Sequence, residues 1–263
     1  MKKKRVLAVL LIKDGVLVQS KKFERYQNLG NPFVAVKRLS EWASDELIYL
    51  DITDQNNSLD FEQSKKSFLD IVNQVSKSAL MPITVGGGIR TIGDIEERLA
   101  FGADKICINT IIFEDKGFIE QSARKFGSQC IVASIDIKKV GDDVLIFSEK
   151  GKKLIKENPF DIFKRIQDDG VGEIFLNFID RDGMKNGYDI DLINKFSQNI
   201  KIPYIVCGGA GQWSDFKEIF DKTNADAAAA ANIFHHIDQS MYLAKNYLFE
   251  SGCNVRKPQL LEI

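Results

Sequence analysis

Short apolar runs alternate along the whole chain with longer amphipathic segments. The runs at 6–12, 47–52, 83–85, 105–109, 130–135, 174–178, 204–207 and 225–231 have strand length and near-continuous apolar character. That is how strands buried on both faces read. Helical spacing fills the intervals, as at 32–43, 61–76, 92–101, 159–169 and 213–220. Eight strands alternating with helices within about 250 residues is the pattern of a (β/α)8 TIM barrel. A doubly wound open sheet shares the alternation, but no GxGxxG follows the first strand to support its dinucleotide-binding form. No Pro- or Ser-rich linker divides the sequence, so one barrel domain is expected over 1–250, with a tail at 251–263.

An internal repeat sharpens this expectation. Met81-Pro82-Ile83-Thr84-Val85-Gly86-Gly87-Gly88 is echoed by Ile202-Pro203-Tyr204-Ile205-Val206-Cys207-Gly208-Gly209. Each block precedes a helix and then an Ala-Asp step into a small apolar strand, Ala103-Asp104 in one half and Ala225-Asp226 in the other. Leu10-Leu11-Ile12-Lys13 aligns with Ile135-Asp136-Ile137-Lys138. The barrel is therefore expected to consist of two similar half-barrels, with two similar sites facing each other across the carboxyl-terminal mouth.

Composition narrows the function classes. Thirty-six Lys and Arg balance thirty-seven Asp and Glu, so no global field draws nucleic acid. The apolar run that follows the basic start is seven residues long and ends at Lys13-Asp14-Gly15 with no cleavage signal, and no stretch reaches membrane-span length. Cys107, Cys130, Cys207 and Cys253 form no CxxC pair, which fits reduced thiols in the cytoplasm. The only histidines, His235-His236, have no carboxylate or Cys at ligand spacing, so no metal site is expected. No cofactor is expected either.

Glycines at the end of a strand let backbone amides converge on an anion, and they are also the default for any tight turn. Two such turns, Gly86-Gly87-Gly88 and Gly208-Gly209, with a further Gly183, point to a small molecule with a phosphate at each end. Asn109 and Asn232 end the fourth and eighth strands as side-chain donors or as plain turn residues. At the opposite face four strands open with a charge: Arg5, Glu46, Lys105 and Glu173. Two cations and two anions there can close into a neutral ring that serves stability alone.

The chain resembles the HisF family, the cyclase subunit of imidazole glycerol phosphate synthase, over residues 1 to about 250. The resemblance is carried by Lys13-Asp14-Gly15, by Asp45-Glu46-Leu47 through Thr53, by Thr84 through Arg90 and by Asn109-Thr110. Phe126 through Cys130, Asp180 through Gly183 with Asn186 through Asp189, and Cys207 through Gly211 complete it. The related HisA isomerases share the phosphate turns but are less similar at Phe126–Cys130 and Asp180–Gly183. The resemblance implies a glutaminase partner whose ammonia passes through the barrel to a bis-phosphorylated nucleotide at the mouth. By that resemblance Arg5, Glu46, Lys105 and Glu173 form an ammonia gate, Asp104 and Gln129 lie at the glutaminase interface, and Asp51, Asn177 and Asp182 orient substrate.

The family uses two aspartates for general acid/base work. One falls on Asp136, and the other falls on Leu11, which can neither donate nor accept a proton. The family's loop lysine corresponds to Gln19, its strand-six threonine to Asn177 and a serine after strand eight to Asn232. The delivery end is kept while the mouth is changed. The expected function is a HisF-like conduit working with a HisH-like glutaminase and a sugar amidotransferase in acetamidino-sugar synthesis for surface polysaccharide. An active cyclase in histidine biosynthesis is the alternative. Of the two phosphate turns, the second is expected to be better preserved, because the first half lost its lysine at Gln19.

Overall fold

A computed structural model describes residues 2–54, 58–141, 143–235 and 237–260. The first half runs β1 (Arg5–Lys13), β2 (Val16–Lys21), β3 (Arg25–Gly30), α1 (Pro32–Glu41), β4 (Glu46–Asp51) and α2 (Ser58–Ser78). It continues with β5 (Ile83–Gly86), α3 (Ile92–Ala100), β6 (Lys105–Ile108), α4 (Ile111–Glu114) and α5 (Phe118–Phe126). The second half runs β7 (Ile131–Val140), β8 (Asp143–Ser148), β9 (Lys153–Ile155), α6 (Pro159–Asp168) and β10 (Glu173–Phe178). Then come α7 (Ile190–Ser197), β11 (Tyr204–Cys207), α8 (Trp213–Lys222), β12 (Ala227–Ala230) and α9 (Ser240–Glu250).

Eight parallel strands, in the order β1-β4-β5-β6-β7-β10-β11-β12, close when β12 pairs with β1. These are the eight apolar runs of the sequence, and the open sheet is excluded. Their alternation explains why each run is apolar throughout. On β1, Val6, Ala8, Leu10 and Ile12 join the shell beneath the helices, while Leu7, Val9 and Leu11 face the barrel interior.

The four remaining strands form two hairpins that the apolar pattern did not show. Strands β2 and β3 continue antiparallel from β1, and β8 and β9 do the same from β7, so each half opens with an equivalent extension. Asp14 and Gly15 both have positive φ (52° and 77°), as the tight turn that starts the first extension requires.

The Ala-Asp repeat has a structural account. Asp104 accepts from the Ile83 amide (2.8 Å), Asp226 from the Tyr204 amide (3.2 Å) and Asp45 from the Val6 amide (2.9 Å). Each carboxylate thus pairs the first free amide of a neighbouring strand at the amino-terminal face. The chain end returns to the same face, where Val255 bridges Lys4 and is buried. No helix among the described residues is long and apolar enough to cross a membrane.

Candidate functional site

The charged residues that open four strands meet at the barrel floor. Arg5 reaches Glu46 at 2.8 Å and also pairs with Glu173, while Lys105 stands 3.0 Å from each of the same two carboxylates. The ring is closed and neutral. Glu46 and Glu173 are buried, and the Thr84 hydroxyl adds a bond to Glu46 (2.5 Å). Above it lies an apolar barrel interior built from Leu7, Ile48, Val132, Phe175, Ile205 and Ala227. Asp104 and Gln129 are both exposed near this face, and the Asp104 carboxylate is already committed to the Ile83 amide.

At the other end a cavity of about 280 Å³ opens. Asp136 lines it from β7, and Leu11 lines it from β1, four strands away and so diametrically opposite. Leu11 packs with Val18, Leu50 and Ile52, an apolar wall across the mouth from Asp136. The Asp136 carboxylate accepts a bond from Asn177 Nδ2 (3.2 Å). Burial pushes its pKa up to about 7, against the pull of hydrogen bonds from Asn177 and Asn109 and with a further push from Asp182. A carboxyl poised near neutrality can both give and take a proton. Burial also raises Asp182, despite bonds from the Phe23 and Lys22 amides, and raises Asp51.

The two Gly-rich turns occupy equivalent places. Gly87 (φ 102°) lies so close to β4 that a methyl group would stand 2.1 Å from the Asp51 carbonyl. In the second half a methyl group on Gly208 (φ 109°) would stand 2.6 Å from the Phe178 carbonyl. Both glycines are thus demanded by backbone approach, whatever binds. Gly86, the end of β5, packs as tightly against Cys107. The helix after each turn is capped alike: Asp94 accepts from the Arg90 and Thr91 amides, Asp215 from the Gly211 and Gln212 amides.

Several expected residues converge on the cavity: Asp51, Gly87, Gly88, Asn109, Asp136, Asn177 and Asp182. Gly86, Gly183, Gly208, Gly209 and Asn232 do not line it. Asn232 donates instead to the Ser20 carbonyl at the end of β2 (2.7 Å), and Gln19 pairs with Gln27 across the hairpin (2.6 Å). His235 borders a separate groove beside α1, and His236 lies outside the described residues.

Sequence reasoning missed two sets of residues. Lys150 and Lys152, from the tip between β8 and β9, line the cavity on the first-turn side. Arg98 of α3, almost fully buried, donates to the Gly87 carbonyl (2.8 Å). Aligning the repeat places Ile219 at its equivalent in the other half, and that contrast was the available signal.

A closed barrel with a two-fold repeated mouth, buried carboxylates at that mouth and an ion-paired floor defines a (β/α)8 protein of the kind that works on a small polar molecule at its strand ends. Residues 5–239 match the family model described as histidine biosynthesis protein. The imidazole glycerol phosphate synthase subunit HisF of Natranaerobius thermophilus is 39% identical over 253 residues, covering 96% of this chain and 98% of its own. The HisF subunit of Saccharolobus solfataricus is 37% identical with the same coverage, and that of Sulfolobus acidocaldarius is 38% identical over 256 residues, its full length. The chain belongs to the HisF family of histidine biosynthesis proteins.

Proposed function

We propose that this HisF-family chain is a cytoplasmic synthase subunit that takes ammonia from a HisH-like glutaminase and passes it through the barrel without ordinary cyclase turnover. The observation that carries this reading is Leu11 opposite Asp136. One carboxylate remains where proton traffic across the mouth calls for two, and the position across from it is packed with aliphatic groups. The floor supports the delivery role: Arg5, Glu46, Lys105 and Glu173 close a ring around the axis, and the interior above it is apolar. Such a floor admits a small neutral molecule when one ion pair opens, and an apolar lumen leaves it unprotonated. Gln129 is the exposed contact offered to the glutaminase, with Asp104 beside it.

In this reading the ammonia goes to a sugar amidotransferase that installs acetamidino groups on surface-polysaccharide sugars. The phosphate turns at Gly86–Gly88 and Gly208–Gly209 are inherited from a cyclase ancestor. A second reading, an active cyclase making imidazole glycerol phosphate and aminoimidazole carboxamide ribotide, draws support from the Asp136 pKa of about 7 beside Asp182. Complementation separates the two. A histidine auxotroph lacking its own cyclase but retaining its glutaminase is expected not to grow when it expresses this chain. Growth on minimal medium at the rate given by a HisF control would establish the cyclase reading.

A further inference from the structure

The two Gly-rich turns are related by the half-barrel repeat but do not meet the same surroundings. The first opens on the cavity through Gly87, Gly88 and Ile89, with Arg90, Lys150 and Lys152 around it. Arg90 stands 3.6 Å from Glu114, and Lys150 is anchored by its bond to the Thr53 carbonyl (2.6 Å). Lys152 is exposed and forms no ion pair among the described residues. Asp51, Asp54 and Glu149 also line this side; Glu149 is drawn off by Lys153 at 3.1 Å. Behind the turn the buried Arg98 guanidinium holds the Gly87 carbonyl away from the cavity. A peptide whose oxygen is held inward directs the following amides toward the mouth.

The second turn does not reach the cavity: Gly208 and Gly209 are buried and do not line it. The tip of the first hairpin, Lys22-Phe23, has positive φ at both residues (55° and 59°), a conformation that costs about 1 kcal/mol or more per non-glycine residue. It is held by the Lys22 amide on the Asp182 carbonyl (3.1 Å) and the Phe23 amide on its carboxylate (3.4 Å). Behind the tip, the Ser20 carbonyl fills the space between Gly183 and Asn232. A methyl group on Gly183 would lie 2.7 Å from that oxygen and 2.8 Å from Asn232 Nδ2. The donor that an anion would use at Asn232 is thereby spent on Ser20. On the side of Asp182 the cavity is lined by Asp182, Cys207 and Ala231, with Phe23 and Tyr26 from the first hairpin. Three cations offset the carboxylates at the first turn, whereas no lining cation accompanies Asp182, and a carboxylate without one repels a phosphate and suits a hydroxyl or amino donor.

We infer that the mouth takes a small molecule carrying a single phosphate, held at the first Gly-rich turn, with its hydroxyl- or amine-bearing end toward Asp136 and Asp182. A bis-phosphorylated substrate finds only one of its two anchors free. This assignment rests on the proposed function in taking the Gly-rich turns as inherited phosphate turns, and it reverses the sequence expectation that the second turn is better preserved.

Inorganic phosphate titrated into the full-length, 15N-labelled chain reads the two turns separately through their backbone amides. Saturable shifts are expected at Gly87, Gly88 and Ile89 and none at Gly208, Gly209 and Ala210. Lys152→Ala, a change at an exposed residue, is expected to weaken the first-turn response at least five-fold. Asn232→Ala, which cuts the latch on Ser20, is expected to bring a second set of shifts at Gly208–Ala210. Wild-type shifts at Gly208–Ala210, shifts at neither turn, or an unchanged response in Lys152→Ala would overturn the inference. The readout involves neither turnover nor a partner, so its failure is distinguishable from a failure of the conduit reading.

Discussion

Asp136 is the residue on which the mouth turns, and its chemistry is set by burial. A pKa of about 7 in the fold against 3.8 in the unfolded chain means that the native state holds a proton the unfolded state has released. Stability from this group is therefore full below pH 4, falls as pH rises from about 4 to 7, and is flat above. The difference amounts to about 4 kcal/mol. Asp136→Asn keeps an oxygen for the Asn177 donor and removes the titrating charge. The variant is expected to be more stable than wild type at pH 8 by about 2–4 kcal/mol and nearly equal at pH 4, as read by urea denaturation at both values. A variant that is less stable at pH 8 would show that the carboxylate is ionised and satisfied in place. Leu11 and Asp136 were both legible in the sequence, because the repeat aligns them; the pKa was not, since it depends on what β6, β10 and the segments that follow them place around the carboxyl.

Elements carry the other half of the lesson. The eight barrel strands read directly from apolar runs because both of their faces are buried, one by helices and one by the barrel interior. The hairpins of β2–β3 and β8–β9 did not, because they stand above the barrel with a polar face to solvent, as in Arg25–Gly30, where five of six residues are exposed. The Asp-Gly step at 14–15, read only as the end of an apolar run, and Gly141 between β7 and β8 were their local signals. Those hairpins bring Ser20, Phe23, Lys150 and Lys152 to the mouth, so the part of the site that distinguishes its two halves was the part hidden from the sequence. The last helix is fixed by a buried cation: Lys245 of α9, fully enclosed, reaches Asp45 at 2.6 Å and the Ala43 carbonyl at 2.8 Å. Lys245→Met leaves Asp45 with the half-exposed Arg256 at 3.3 Å. It is expected to cost about 3–5 kcal/mol in denaturant unfolding. Stability within 1 kcal/mol of wild type would mean that Arg256 alone neutralises Asp45.

At the scale of the molecule, the two ends of the barrel are built differently. The floor keeps a closed ring of two cations and two anions, with Glu46 and Glu173 buried and held by three partners and two partners respectively. The mouth holds one member of the opposed acid pair, Asp136, with an apolar wall at Leu11 across from it, and the first hairpin is bonded to Asp182 and Asn232 on one side. Under the proposed reading a barrel can serve as a conduit with that mouth, whereas a reaction that needs an acid at the position opposite Asp136 finds Leu11 there. Removing a general acid or base slows its step by about 10²- to 10⁴-fold, or about 3–5 kcal/mol of barrier. The most direct measurement is the steady-state rate of the unmodified chain with the bis-phosphorylated ribulosyl aminoimidazole nucleotide and saturating ammonium, which bypasses any glutaminase. A rate at least 100-fold below that of a HisF control under the same conditions is expected, with partial recovery in Leu11→Asp combined with Gln19→Lys. Ammonia-dependent cyclisation by the unmodified chain at the control's rate would contradict the account.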